Sequence, residues 1–435
     1  MKFYLETQGC QMNEHDSEVA RAIFVRHGLE ESDSPDEADV VVLNTCSVRA
    51  GAEKRAISRL NDLARRIQPH ALLGAMGCVV ERLKEAIFES VHRLDFALGP
   101  DALGHLPEIL VNRSRRRFWP GEDSLSVLPR LSEGPIRWLV AMRGCNSFCS
   151  YCIVPYVRGR ERSRPPDEIL AEAAELVRLG AREIVVLGQN LAAYSYQGWT
   201  LARLLEALSA LPGIGWIRYE TFYPSDVRAD LLERIASEPK LCKFIHTPIQ
   251  TGSDPVLRAM NRRYTVAEFV ELVRNARRII PGVALSGDLI VGFPTETEAD
   301  HQNTLRVLDE VRYDFLFHFK YSPRPGTAAY ALGDPIPDEV KARRLRDVML
   351  LQRRISAEKN RELVGRELAV LVTSTNPKKP GELQGRTQTN RIVFFEGASS
   401  LIGTFVTVKI TSSSNFSLRG SIEAVRDQRL PPMMR

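Results

Sequence analysis

A chain of 435 residues exceeds one average domain and has room for two or three, each with its own apolar core. Hydrophobic residues at 44% and charged residues at 26% give an ordinary globular composition, and no apolar stretch approaches a membrane span. The net charge of +5 is too small to mark a strongly basic protein, yet 48 of the 59 basic residues are arginine, which suits phosphate and base contact or reflects GC-rich coding.

Residues 1–30 lack the basic, apolar and small-residue succession of a secretory signal. The expected location is the cytoplasm, with no membrane partner. In that reducing compartment seven cysteines serve as metal ligands or core residues rather than as disulfides.

The first section alternates strand and helix patterns: KFYLE at 2–6, a helix from Asn13, DVVVL at 39–43, a helix from Arg49, and LLGAM at 72–76. This predicts a parallel α/β domain, with limits at 1–118. Cys10, Cys46 and Cys78 each follow one of the three strands. Strand ends of a parallel sheet share one edge, so residues some thirty apart can meet there. The trio suits a metal site better than core packing, although a single such cysteine would be read as buried and structural.

From Asn112 to Pro135 the pattern breaks into Arg113, Arg115, Arg116 and Arg117, then Gly, Pro and Ser, which reads as a linker. Six strand-like runs follow, at 137–142, 183–187, 216–221, 244–248, 283–292 and 314–321, with helical segments between. They predict a partial TIM-like β/α barrel over 131–361 whose chemistry sits at the strand carboxyl ends. The closing helix carries Arg343, Arg344, Arg346, Arg353 and Arg354, read as a solvated face. Five short strands after Gly365 predict a small β-barrel of the oligonucleotide-binding kind over 362–427.

RGCNSFCSYC places Cys145, Cys149 and Cys152 in a C-x3-C-x2-C loop after the first barrel strand. Structural zinc takes four ligands, and the nearest histidines in sequence are His105 and His246. Three thiolates leave one iron of a [4Fe-4S] cubane uncapped. S-adenosylmethionine (SAM) can chelate that iron and be cleaved by electron transfer. Tyr151, before the last cysteine, belongs to the same pattern.

The three-cysteine loop resembles the radical SAM signature, and the chain is similar nearly end to end to the MiaB-type tRNA methylthiotransferases. TQGCQMNEHDSE, LNTCSVR and GCVVER resemble that family's amino-terminal domain; IVPYVRGRERSRP, LGQNLAAY, HTPIQTGSD, GDLIVGFPTET and SPRPGTAA resemble its barrel; QGRTQTNRIVFFEG resembles its RNA-binding TRAM domain. The resemblance implies a second, auxiliary [4Fe-4S] cluster on Cys10, Cys46 and Cys78. Gln189 and Asn190 follow a barrel strand, where they could hydrogen-bond SAM, and Asp288 near the fifth strand and Arg324 before Pro325 are similarly placed; each reads equally well as a satisfied polar residue. Cys242 matches no cluster position and reads as a core cysteine.

The implied reaction methylates a sulfur on the auxiliary cluster with one SAM, then uses a second SAM to remove hydrogen from C2 of an isopentenyl-adenosine beside the anticodon. Implied partners are the tRNA anticodon loop, an electron donor such as flavodoxin or ferredoxin, and a sulfur donor. Arg158, Arg160 and Arg162 follow the cluster loop, and Lys378, Lys379, Arg386 and Arg391 interleave with Phe394 and Phe395; both groups suit RNA held by charge and stacking. Alternation along that strand turns one phenylalanine inward. Rival readings are methylthiolation of threonylcarbamoyl-adenosine or of a ribosomal-protein aspartate, and a non-catalytic iron–sulfur RNA-binding protein.

Overall fold

The computed structural model describes residues 1–47, 50–112, 117–120 and 134–425. The expected linker, with Arg113, Arg115 and Arg116, lies mostly outside the described residues. The chain forms two compact units that interleave along the sequence: Met1–Ser132 with Arg143–Arg164 and Ser322–Tyr330, and Glu133–Met142 with Pro165–Tyr321 and Ala331–Arg435. Among the described residues no helix is long and apolar enough to cross a membrane.

The first unit is built on a parallel sheet in the order Glu30–Glu31, Lys2–Thr7, Val40–Thr45, Leu72–Gly77, Phe96–Leu98, Arg117–Trp119. The strands Val40–Thr45 and Leu72–Gly77 are buried along their whole length. Helices therefore cover both faces, and the strands read as apolar runs rather than alternating ones. One face packs Val40, Val42, Leu72 and Met76 with Phe24 and Leu106, and the other packs Val41, Leu43, Leu73 and Ala75 with Leu60 and Val79. The central strands pair in register, Thr7 beside Asn44 and Thr45 beside Gly77. Their carboxyl ends are thus neighbours, and Cys10, Cys46 and Cys78 follow on one edge. Gly77 adopts φ +96°, and a Cβ there would press on the carbonyl of Thr45. Only glycine fits that turn into the helix Cys78–Leu83.

The second unit contains six parallel strands in two sheets, Ile136–Val140 beside Glu183–Leu187 beside Trp216–Tyr219, and Phe244–His246 beside Ala284–Val291 beside Phe315–Lys320. A parallel bridge from Ile217 to Leu241 joins them. Helices such as Pro166–Arg178, Leu201–Ser209, Val266–Ile279 and Glu298–Val311 make the crossovers. The expected partial β/α barrel is present.

The helix Asp338–Arg361 closes this half. Its arginine face is not wholly solvated, because Arg344 is 5% exposed with Nη1 2.7 Å from Glu296 Oε2. The helix packs that side against the loop before Glu298–Val311, and a buried guanidinium needs an acid there.

Strands Glu367–Thr375, Glu382–Thr387, Ile392–Glu396, Phe405–Ser413 and Ser417–Val425 form a closed barrel, with one parallel pair, Ile392–Glu396 and Ser417–Val425. Phe395 points into its core and Phe394 is half-buried, as alternation requires. The barrel is fastened to the β/α half by buried groups. Arg218, fully buried, holds Glu183 at 2.7 and 3.0 Å and donates to the carbonyls of Thr387 at 3.0 Å and Gln388 at 3.1 Å. Arg391 pairs with Asp314 at 2.6 Å, and Trp216 meets Phe405 edge-on at 4.8 Å. Cys242 is buried in this seam with Trp216, Leu371 and Phe405, and burial pushes its thiol up to about 12, fitting a core cysteine.

Candidate functional site

All six cysteines of the two expected cluster sets lie in the first unit, none of them in a disulfide. Cys10 precedes the helix Gln11–Arg26, with its Sγ 3.3 Å from Asn13 Oδ1. Asn13 is fully buried and donates to Asn44 Oδ1 at 2.8 Å and to the Thr45 carbonyl at 3.0 Å, while Asn44 donates to the Asn13 carbonyl and Ser17 Oγ. This amide clasp ties the first helix to the strand end that carries Cys46. Cys78 packs with Ile153 and Val157 from the segment after the second trio.

The second trio sits in a loop held by tight backbone contacts. Cys145 N donates to the Gly159 carbonyl at 3.1 Å, Cys152 N to Cys149 O at 2.9 Å, and Ala329 N to Ser150 O at 2.7 Å. Phe148 occupies the left-handed region at φ +46°, which costs energy in a bulky residue and concentrates at functional loops. Its ring carries the Arg160 guanidinium at 4.2 Å and the Tyr156 ring edge-on at 5.9 Å. Gly144 has φ +78°, and a Cβ there would overlap the Arg160 carbonyl. Gly144→Ala is expected to distort the loop at a cost of about 1–3 kcal/mol. Reduced iron content of the purified variant and a lowered Tm would record that distortion.

A buried charge network joins the two cysteine segments. Asp16, 1% exposed, accepts from Arg143 Nη2 at 2.9 Å and from Arg158 Nη1 at 2.8 Å. Arg143 also meets Asp101 at 3.1 Å, and Arg162 meets Asp101 at 2.5 Å. Burial works against the charged carboxylate of Asp16, but Arg143 and Arg158 outweigh it and hold Asp16 well below the usual carboxylate range. Arg158 Nε lies 3.3 Å from Cys78 Sγ, and its Nη2 is buried without a hydrogen-bond partner among the described residues. Burial pushes the Cys78 thiol up, with Arg158 opposing. Arg324 donates to the Ser47 carbonyl at 2.8 Å. Burial pushes its guanidinium down, and Glu53, Cys46 and Cys152 act against that. Arg324 thus lies within electrostatic reach of both cysteine sets.

The donor set fits iron–sulfur clusters better than a single ion. Zinc would require four ligands about 2.3 Å or less from one centre, whereas a cubane divides its thiolates among separate irons. A buried guanidinium with an unsatisfied N–H beside Cys78 is a surrounding suited to anionic sulfur.

The remaining expected residues have the following places. Tyr151 is half-buried in the cluster loop. Gln189 and Asn190 follow the strand Glu183–Leu187, and Asn190 is buried, donating to Asp226 Oδ2 at 2.7 Å and accepting from Tyr223 N at 3.1 Å. Asp288 is half-exposed with His246 Nε2 at 3.3 Å, and Phe317, 53% exposed, stands beside the His246 ring. Burial disfavours the charged His246, yet Asp288 and Glu220 hold its pKa above the ordinary histidine value. Of the basic residues, Arg160, Lys378 and Lys379 are exposed, Lys379 with Glu382 at 3.3 Å. Arg158, Arg162 and Arg391 have acids of the protein as partners, and Arg386 is half-buried with Glu183 at 3.7 Å.

Sequence reasoning missed Asn13, Asp16, Asn44 and Arg143. A signal existed for two of them: Asn13, Asp16 and Ser17 stand at i, i+3 and i+4 on the face that also carries Ala20, a polar stripe where the helix should be apolar.

Comparison with known proteins agrees with this construction. Family models match for the Radical SAM superfamily over residues 139–308, for Uncharacterized protein family UPF0004 over 2–99, and for the TRAM domain over 361–422. The fold is shared with the radical SAM methyltransferase TsrM of Kitasatospora setae, at a TM-score of 0.58 and 13% identity, covering 88% of this chain and 78% of that one. Fold and matched models place the protein in the radical SAM class. A tRNA-2-methylthio-N(6)-dimethylallyladenosine synthase of Coxiella burnetii is 41% identical over 439 residues, covering 97% of this chain and 99% of the relative. One of Bacteroides fragilis is 40% identical, covering 96% and 95%. The chain belongs to the family of these tRNA methylthiotransferases.

Proposed function

We infer that the protein is a tRNA-2-methylthio-N(6)-dimethylallyladenosine synthase, an enzyme that places a methylthio group on C2 of an isopentenyl-adenosine beside the tRNA anticodon. What supports the reading is a likeness to such synthases that runs end to end at 41% identity. Cys145, Cys149 and Cys152 would hold the SAM-binding [4Fe-4S] cluster, and Cys10, Cys46 and Cys78 the auxiliary one. When bound, the clusters and SAM supply one-electron bond cleavage and sulfur for a C–H position that offers no acidic proton. We keep 1–118, 131–361 and 362–427 as the functional divisions of the chain.

The protein's own residues do the positioning. The Asn13–Asn44 clasp fixes Cys10 against the strand that ends at Cys46, and Asp16 fixes Arg143 and Arg158 on either side of the second trio. Arg324 would offer positive charge to the SAM carboxylate, Tyr151 would pack within the cluster loop, and Gln189 and Asp288 would hydrogen-bond SAM. Asn190, with both amide ends engaged, would hold the loop that presents Gln189.

The anticodon loop is single-stranded, so little unstacking is needed. We assign phosphate contact to Arg160, Lys378 and Lys379, and stacking to Phe394, whose ring has the Arg419 guanidinium at 5.5 Å. The double variant Lys378→Ala/Lys379→Ala is expected to weaken tRNA binding and to flatten its salt dependence by about 0.7 in log–log slope per lost contact. Filter binding between 50 and roughly 200 mM salt reads this; an unchanged slope would remove both lysines from the interface.

The reaction needs an electron donor of the flavodoxin or ferredoxin kind and a sulfur donor. Thiolate ligands keep best in a reducing compartment, and we assign the protein to the cytoplasm on that ground. The deciding test is mass spectrometry of tRNA nucleosides from a strain lacking the protein. The methylthio isopentenyl nucleoside should vanish and its unthiolated precursor accumulate. Loss of a methylthio threonylcarbamoyl nucleoside instead would transfer the assignment to that substrate.

A further inference from the structure

We propose that Arg158 is a positioning residue for the cluster held by Cys10, Cys46 and Cys78, donating its Nε–H to Cys78 Sγ and shifting that cluster's reduction potential upward. The inference rests on the assignment of those cysteines as cluster ligands, and goes beyond it by giving the cluster an electrostatic partner.

Three observations carry it. Arg158 Nε is 3.3 Å from Cys78 Sγ, within hydrogen-bond range for sulfur. The Arg158 side chain is 3% exposed, so its charge is poorly screened and acts at close range on whatever the thiolate binds. The guanidinium is also not used up by acids. Nη1 is on Asp16 Oδ2, Asp16 is itself shared with Arg143, and Nη2 is buried without a partner among the described residues. A group placed only to close an ion pair would have the two-pronged geometry that Arg218 makes with Glu183 elsewhere in the chain. Arg158 divides itself instead between a carboxylate and a sulfur.

Arginine is charged at every accessible pH, and a charged donor on a ligating sulfur stabilises the electron-rich, reduced form of a cluster more than the oxidised form. Arg158 belongs to the VRGR segment that follows Cys152. The segment carrying the second trio therefore supplies the charge that tunes the first.

The test uses the full-length chain with Cys145→Ala, Cys149→Ala and Cys152→Ala, reconstituted anaerobically with iron and sulfide so that only the other trio can carry a cluster. Midpoint potentials are read by EPR-monitored titration with dithionite, in this background and with Arg158→Met or Arg158→Lys added. The parent should bind about four irons per chain. Arg158→Met should lower the potential by a tenfold change in the one-electron equilibrium, about 59 mV, and Arg158→Lys, which keeps the charge but not the fork, should recover part of that shift. An unchanged potential in Arg158→Met at full iron overturns the role of Arg158 and leaves the cluster site standing. Should Arg158→Met fail to hold iron, Arg158→Lys decides alone, and a potential equal to the parent's overturns the proposal. Failure of the parent itself to bind iron overturns the cluster site and the proposal together.

Discussion

Asp16→Ala is expected to destabilise the first unit by about 3–5 kcal/mol, because it leaves two buried guanidinium groups without their shared carboxylate. Arg143 and Arg158 reach Asp16 from segments 127 and 142 residues away in sequence, so the loss also frees both flanks of the Cys145–Cys152 loop. Hydrogen–deuterium exchange of the Val40–Thr45 amides is the direct readout, and protection there should fall by the same free energy. The effect has a pH signature. The folded-state pKa of Asp16 is depressed, so its contribution is complete above the unfolded-state value of about 3.9 and is lost as pH falls below it toward the folded value. The gap between wild type and Asp16→Ala should therefore be constant from pH 7 to about 5 and close progressively below about 4. A gap that persists undiminished in acid would show that Asp16 acts through packing.

Cys149→Ala should abolish formation of 5′-deoxyadenosine from SAM by the reduced, anaerobically reconstituted protein. It should also remove about four irons per chain while leaving the other cluster's complement in place. Cys78→Ala should separate the two functions. It is expected to lose a similar amount of iron and all methylthiolation, yet to retain SAM cleavage, since Cys145, Cys149 and Cys152 are intact. Retention of full iron by either variant would reassign the missing cysteine to structure. Cys242→Ala is the internal reference, because that thiol is a core residue of the barrel seam and its loss costs packing alone.

Much of the architecture was legible because its signals are local. The runs at 2–6, 39–43 and 72–76 became the central strands of the parallel sheet, and their ends located the first three cysteines on one edge. The five strands after Gly365 closed into the expected barrel. Phe96–Leu98 escaped notice and Arg117–Trp119, read as linker, is a strand of the sheet, because three residues carry no period to read. The polar half of the site was the least visible. A sequence shows that Arg158 and Arg391 are basic, but not that Asp16 and Asp314 lie waiting far along the chain as their partners. Conversely, the stretch of arginines in Asp338–Arg361 hides one, Arg344, that the fold buries. Burial of a charge is decided by what the opposite element offers, which periodicity does not encode.

The seam between the C-terminal barrel and the β/α half has a consequence for how substrate is presented. An RNA-binding module on a flexible tether searches a volume, and its help is an effective concentration that falls as the tether lengthens. With Arg218 and Arg391 locked into the seam, this barrel is a fixed stand rather than an arm. Nucleotides gripped near Lys378 and Phe394 would lie at a constant offset from the strand ends at Leu187 and Tyr219. On the proposed function, the barrel would then measure distance along the RNA as well as hold it.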